Sequence, residues 1–213
     1  MKNISTLILA GGKSSRMGCD KALVEYQGKP MLQRVYEVAN ACTEKVYVLT
    51  PWYDDPKEIL CMDGVKQSII DHCRYKKILP LNCNYLTESQ PGNGALHGLY
   101  EGLEQISAEW VLLLACDLPL LDTKVIQEWI NDLKQVPEDI LAVVPKNSSN
   151  WEPMCAFYRY QALTQLQNFL QTGGRSFQKW FSHIKVQALP ITPEVKRMLH
   201  NCNTPGDLKH NQN

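Results

Sequence analysis

The chain of 213 residues has no charge excess, with 22 Lys plus Arg against 22 Asp plus Glu. A protein without basic surplus is not built to hold nucleic acid by bulk attraction to phosphates, although a small local anion site stays open to it. No run of about 18 apolar residues occurs, so no membrane span is expected. The eight cysteines, at positions 19, 42, 61, 73, 83, 116, 155 and 202, contain no C-x-x-C pair, which argues against a zinc ribbon. The apolar stretch Ile4 to Ala10 is short and no cleavage pattern follows it, so it reads as a strand rather than a signal peptide. Reduced thiols in a cytoplasmic protein are therefore expected. Internal repeats and low-complexity linkers are also missing. What is present is globular composition, 44% apolar and 21% charged, which excludes a disordered chain. Length and composition together fit one domain, 1–213, that buries roughly 70% of its unfolded surface.

Apolar runs alternate with helical patterns. Thr6 to Ala10, Val46 to Thr50, Asn84 to Thr87, Trp110 to Ala115, Ile140 to Val144 and Met154 to Tyr158 read as strands, with Trp110 to Ala115 the strongest. A helix is expected after Pro30, with Pro30 at its first position. Others are expected along the Leu96, Leu99, Leu103, Ile106 stripe, after an Asp122 cap, over Gln161 to Leu170 and over Ser176 to Ile184. One or two short helices are placed within 54–83, where periodicity is weak. This order implies an α/β fold: a Rossmann-like, doubly wound, mostly parallel sheet with helices on both faces.

In such sheets ligands bind beyond the carboxyl ends of strands. There the first strand runs into Leu9 to Lys21, LAGGKSSRMGCDK. Gly11 and Gly12 free the backbone to approach an anion, Ser14 and Ser15 add donors, and Lys13, Arg16 and Lys21 add cations. This composition suits a phosphate cradle, and it also suits a solvated surface loop. It is neither a Walker A loop nor G-x-G-x-x-G. The strongest strand ends in Cys116-Asp117-Leu118-Pro119, which puts a carboxylate on the same crevice. Magnesium prefers oxygen ligands, and Asp117 can supply one. Asp-x-Pro after a strand is also a common turn.

The loop as a whole resembles the nucleotidyltransferase signature L-A-[AG]-G-x-S-x-R-M-G-x-x-K. In its Ala-Gly-Gly form, followed by Asp20-Lys21, it is similar to the molybdenum cofactor guanylyltransferases. The resemblance implies the nucleotide-diphospho-sugar transferase type of sheet. It implies that backbone around Leu9, Ala10, Gly11 and Gly12 meets the nucleotide and that Lys21 meets the triphosphate. Asp117, in the family's Cys-Asp-x-Pro, would hold Mg2+. The Gly-Gly pair implies guanine, where cytidylyl relatives more often carry Ala-Ala-Gly.

Weaker segments extend the resemblance. Glu88 stands where the family has an aspartate before Gly-Pro-Leu-Ala-Gly, and Gly94 and Gly98 match its glycines, which would let a helix N-terminus approach base or ribose. Asn203, in Asn201 to Leu208, matches a position that approaches the metal in the wider superfamily. Thr204, Pro205 and Asp207 equally make a helix start. Trp151 to Arg159 resembles the acceptor-side His-Pro-x-x-Ala segment, with Glu152 where His is frequent. Arg175, after Gly173-Gly174, is a candidate for the acceptor's phosphate. Leu49-Thr50-Pro51 departs from the family's asparagine at the second strand.

The expected activity is transfer of GMP from GTP to the molybdopterin cofactor, with release of pyrophosphate. The nucleotide part would span about 1–120 and the acceptor part about 121–208. Arg16, Lys21 and Asp117 would be the catalytic groups. Other cofactor-biosynthesis proteins and a recipient apoenzyme are expected partners; nucleic acid and membrane are not. The alternatives are cytidylyl transfer to the same cofactor, transfer to a sugar phosphate and, of another class, a non-catalytic GTP-binding module.

Overall fold

The chain lays down its elements in the order strand β1 (Ile4–Leu9), a 3-10 turn (Lys21–Leu23), a short hairpin β2 (Glu25–Tyr26) and β3 (Lys29–Pro30), helix α1 (Met31–Cys42) and strand β4 (Lys45–Thr50). After helical residues 75–78 come β5 (Asn84–Thr87), α2 (Ala95–Gln105), β6 (Trp110–Ala115), α3 (Thr123–Asp132), β7 (Ala142–Lys146), β8 (Cys155–Arg159) and α4 (Leu163–Gln171). Then follow α5 (Phe177–Trp180), β9 (Val186–Pro190) and α6 (Pro193–Met198). The structure, a computed structural model, describes residues 3–10, 20–51 and 75–202.

Seven strands form one sheet in the order β5-β4-β1-β6-β8-β7-β9. Every residue of β6 is buried, as its unbroken apolar run requires of a strand covered on both faces. β1 lies parallel to both β4 and β6, with Leu9 opposite Leu49 on one side and Ala115 on the other. The chain winds outward from β1 through β4 to β5, then returns to β6 on the other flank of β1. The winding direction therefore reverses between β1 and β6, and a crevice opens beyond their carboxyl ends.

Helices α1, α3 and α6 pack on one face around Ile8, Val48, Leu112 and Leu114. Helices α2, α4 and α5 pack on the other around Leu7, Leu49, Val111 and Tyr158. α2 sits close to the sheet because Gly98 and Gly102 face it. A Cβ at Gly102 would come within 2.2 Å of Leu7 Cδ2, and one at Gly98 within 3.2 Å of Leu9 and Leu49. The Gly98 contacts are those of turn and packing chemistry, which seat α2 against the core. Gly94, at φ +90°, sits at the N-cap with no side chain to cap the helix. Asp122 caps α3 as expected, accepting from Lys124 N–H at 2.8 Å.

Several boundaries differ from the sequence reading. β8 is antiparallel to both β6 and β7. Residues 147–154 are too few for a crossover, which takes a dozen or more. Pro30 stands at the N-cap of α1, one place before the expected first position. The helix expected over Ser176 to Ile184 stops at Trp180, because Ser182 donates its hydroxyl to the Lys179 carbonyl at 2.7 Å and turns the chain. β7 starts at Ala142 rather than Ile140, since Ile140 N–H bonds the Pro137 carbonyl in a turn. β9 and α6 were not anticipated. β9 buries only Leu189, so it lacks the apolar run that marks an interior strand. Of the segment 54–83, residues 75–78 are helical and 52–74 lie outside the described residues.

Candidate active site

β1 and β6 deliver their ends side by side. Cys116 N–H donates to the Leu9 carbonyl at 3.3 Å, and Ala10 N–H donates to the Leu49 carbonyl at 3.0 Å. The side chains of Leu9 and Ala10 belong to the core, so only their backbone could meet a ligand. Asp117, the next residue after Cys116, stands at the mouth of the crevice. Its Oδ2 lies 3.3 Å from Lys21 Nζ, with side-chain exposures of 16% and 21%. Lys21 is held for this contact from behind. Asp20 caps the 3-10 turn by accepting from Ala22 N–H at 3.0 Å, and its other oxygen accepts from the Tyr75 hydroxyl at 2.5 Å. The Asp117 carbonyl accepts from Cys202 N–H at 3.1 Å, which ties the residue before Asn203 to the site. Asp20 and Cys202 were not singled out from sequence. The signal for Asp20 was a carboxylate directly before Lys-Ala-Leu, where a cap belongs.

Asp117 Oδ2 takes the lysine, while Oδ1 accepts no hydrogen bond among the described residues. A partly accessible hard oxygen without a protein donor fits a divalent cation. Among the described residues no group of three His, Cys, Asp or Glu could hold a metal. A single carboxylate with substrate phosphates and water is how magnesium is commonly bound. Beside Asp117, burial first and then the Asp117 charge push the Cys116 thiol far above its ordinary range. A thiol held protonated in this way is no nucleophile.

A second group of residues gathers at the carboxyl end of β5. Glu88 extends the β4–β5 ladder by donating its N–H to the Thr50 carbonyl at 2.8 Å. Burial raises the pKa of its carboxyl above the ordinary value, the Gly92 N–H that it accepts draws it back, and the Glu101 carboxylate adds to the rise. Ser89 donates its N–H to Glu101 Oε1 at 2.9 Å and its hydroxyl to the same oxygen. His97 Nε2 lies 3.4 Å from that oxygen. Glu101, only 3% exposed, was missed from sequence, since a glutamate inside a helix stripe ordinarily faces water.

Arg175, expected from sequence to serve the acceptor, is exposed. Its Nη1 donates to the carbonyls of Leu170 at 3.3 Å and Gly174 at 2.7 Å, while Nη2 and Nε make no protein hydrogen bond. No polar contact joins it to Lys21 or Asp117. Glu152, in the loop that returns the chain to β8, is partly buried, and burial raises the pKa of its carboxyl. Of the expected site residues, the structure brings Leu9, Ala10, Lys21 and Asp117 together. Glu88 stands at the end of β5, two strands from β1, and Arg175 stands apart. Gly11, Gly12, Arg16 and Asn203 lie outside the described residues. So do Lys13, Ser14, Ser15 and the proposed helix start Thr204-Pro205.

Residues 6–186 match the family model described as a MobA-like NTP transferase domain. A probable molybdenum cofactor guanylyltransferase from Nostoc sp. is 44% identical over 209 residues, 98% of this chain and 90% of that one. Another so named, from Synechococcus elongatus, is 38% identical over 96% of each. Among solved structures, molybdopterin-guanine dinucleotide biosynthesis protein A from Archaeoglobus fulgidus superposes with a TM-score of 0.73 at 21% identity, covering 97% of this chain and 95% of that one. A 4-diphosphocytidyl-2C-methyl-D-erythritol synthase from Anaerococcus prevotii superposes with a TM-score of 0.68 at 13% identity, covering 97% and 93%. The fold is thus shared by proteins named for different bases. No helix among the described residues is long and apolar enough to cross a membrane.

Proposed function

Because this chain belongs to the MobA-like NTP transferase family, we propose that it is a nucleotidyltransferase that moves GMP from GTP onto molybdopterin and releases pyrophosphate. The observation that carries this reading is the Lys21–Asp117 pair at the winding reversal between β1 and β6. One group suits a phosphate and the other a cation, and in the free protein each occupies the other.

The chemistry needs little from the protein beyond placement. An acceptor phosphate is already anionic near neutral pH, since its second pKa is about 6. One of its oxygens attacks the α-phosphorus in line, a P–O bond forms, and the bond to the β-phosphate oxygen breaks. No proton has to be removed first. Lys21 offsets charge on the α-phosphate and the leaving pyrophosphate, and Arg16 is assigned the same task by the resemblance. Backbone at Leu9, Ala10, Gly11 and Gly12 holds the nucleotide. Asp117 would hold a divalent cation, Mg2+ by resemblance, with Asn203 as a further candidate ligand; when bound, such an ion supplies charge neutralisation along the triphosphate. Positioning and fixed charge then account for catalysis.

Glu88 belongs to the base or ribose side. Arg175, with free guanidinium nitrogens, is proposed to receive the acceptor's phosphate. The whole chain acts as one domain, with nucleotide handled up to about residue 120 and acceptor by about 121–208. It works in the cytoplasm, beside other cofactor-biosynthesis proteins and the apoenzyme that takes the product. The guanine assignment is supported by the names of the similar Nostoc and Synechococcus proteins and by Gly11-Gly12. The test is pyrophosphate release with molybdopterin and magnesium across GTP, CTP, ATP and UTP. Release with GTP is the expected result. Release with CTP alone would keep the site and overturn the base. GTP binding without release would favour the non-catalytic module.

A further inference from the structure

The fold keeps a carboxylate where a carboxylate is costly. Glu101 lies at the end of the second turn of α2, one position before Gly102, which is pressed against Leu7. That register turns its side chain towards the sheet edge under the loop 88–94, and it is 3% exposed. One of its oxygens, Oε1, is fully used: it accepts the N–H of Ser89 at 2.9 Å and the Ser89 hydroxyl, and His97 Nε2 lies at 3.4 Å. The other, Oε2, is buried with no hydrogen-bond partner among the described residues. A half-satisfied buried carboxylate weakens a fold relative to an apolar side chain of similar size. Core packing therefore gives no reason for a glutamate here, and the geometry of the loop gives one.

Ser89 directly follows Glu88, whose N–H bonds the Thr50 carbonyl at the end of β4 at 2.8 Å. Five residues after Ser89, Gly94, at φ +90°, begins α2 without a side-chain cap. The loop is thus fastened at its start twice, from below by Glu101 through Ser89 and to the sheet by the Glu88 N–H. We propose that Glu101 is a positioning residue for the nucleotide site: it anchors Ser89, and through it the 88–94 loop and the Glu88 carboxylate, in the place that receives the base end of the nucleotide. This rests on the nucleotide-binding reading above. The consequence is selective. Losing Glu101 should weaken contacts to the base end and spare the triphosphate end, which is fixed separately by Lys21 on its Asp20-capped turn.

The experiment is a binding comparison in magnesium buffer, with GTP and inorganic tripolyphosphate as separate probes, on wild type, Glu101→Ala and Glu101→Gln. Glu101→Ala should raise the Kd for GTP by about tenfold or more while the Kd for tripolyphosphate stays within about twofold. Glu101→Gln keeps a carbonyl oxygen for Ser89 and should stay within about threefold of wild type for both probes. Should Glu101→Ala fail to fold, Ser89→Ala removes the hydroxyl donor and should weaken GTP by about threefold or more, again sparing tripolyphosphate. An unchanged GTP Kd in Glu101→Ala or, failing that, in Ser89→Ala would overturn the proposal. So would equal weakening of both probes, the mark of a general structural role, or a Gln variant as poor as the Ala variant. A wild-type protein that binds no GTP would instead overturn the proposed function itself, which keeps the two failures apart.

Discussion

The two halves of the sheet present their cations differently. On the side proposed for the nucleotide, Lys21 is mostly enclosed, stands on a turn capped by Asp20, and meets a carboxylate at the end of a core strand. On the side proposed for the acceptor, Arg175 is exposed and, among the described residues, is steadied by two carbonyls of its own neighbourhood, those of Leu170 and Gly174. Both are basic residues in glycine-containing loops, and in sequence they look alike. The difference lies in what holds them. A cation fixed by second partners before the ligand arrives needs no ordering when a triphosphate binds, so its contribution can go into the reaction. A cation free at two of its nitrogens can capture a phosphate, but it settles into place only on binding.

This contrast is best broken by substitution, starting at the nucleotide end. Asp117→Ala should lower turnover by ~10² or more, because it removes both the proposed metal-binding oxygen and the partner of Lys21; wild-type turnover measured as pyrophosphate release would contradict the assignment. Next in size is Gly102→Ala, which forces a Cβ into the 2.2 Å approach to Leu7 Cδ2. A loss of about 1–3 kcal/mol in urea denaturation is expected. A variant as stable as wild type would mean that α2 is not pinned to β1. On the acceptor end, Arg175→Ala should raise the KM for the pterin acceptor by about tenfold and leave the KM for GTP alone. Equal shifts in both would place Arg175 with the nucleotide instead.

The smallest effect is at Glu88. Its folded pKa is raised above the ordinary 4.5, burial being the largest cause. The stability linked to this group is therefore fully present below about pH 4.5 and is lost as pH rises through the folded value. Glu88→Gln cannot ionise, so it should melt about 1–3 °C higher than wild type at pH 7 and no higher at pH 4. It should also bind GTP more weakly, the pattern of a residue kept for function at the expense of the fold. A lower melting temperature at pH 7 would show that Glu88 is there for the loop alone.

Legibility in the sequence follows the same division. β1, β4 and β6 are buried on both faces, so they had to be written as apolar runs, and β6 was located residue for residue. Asp117 could be found because strand ends in a parallel sheet have a known destination, and Lys21 because its loop carries the signature it resembles. β9 is an edge strand that buries only Leu189, and its amino acids carry no such mark. The direction of β8 depends on the short loop 147–154 and on insertion between β6 and β7, a long-range pairing that composition does not encode. Glu101 was invisible for another reason. Its burial comes from Gly98 and Gly102 drawing α2 onto the sheet, and its partner Ser89 lies in a separate loop.

The central claim is that one nucleotide-side pair, Lys21 and Asp117, serves guanylyl transfer to a pterin phosphate. It is tested most directly by mass spectrometry of the pterin after incubation with GTP and magnesium, run in parallel for wild type and Asp117→Ala. The account predicts a pterin carrying one added GMP, one pyrophosphate released for each, and neither product from the variant. GTP consumed with no gain in pterin mass, or an equal yield from Asp117→Ala, would contradict it.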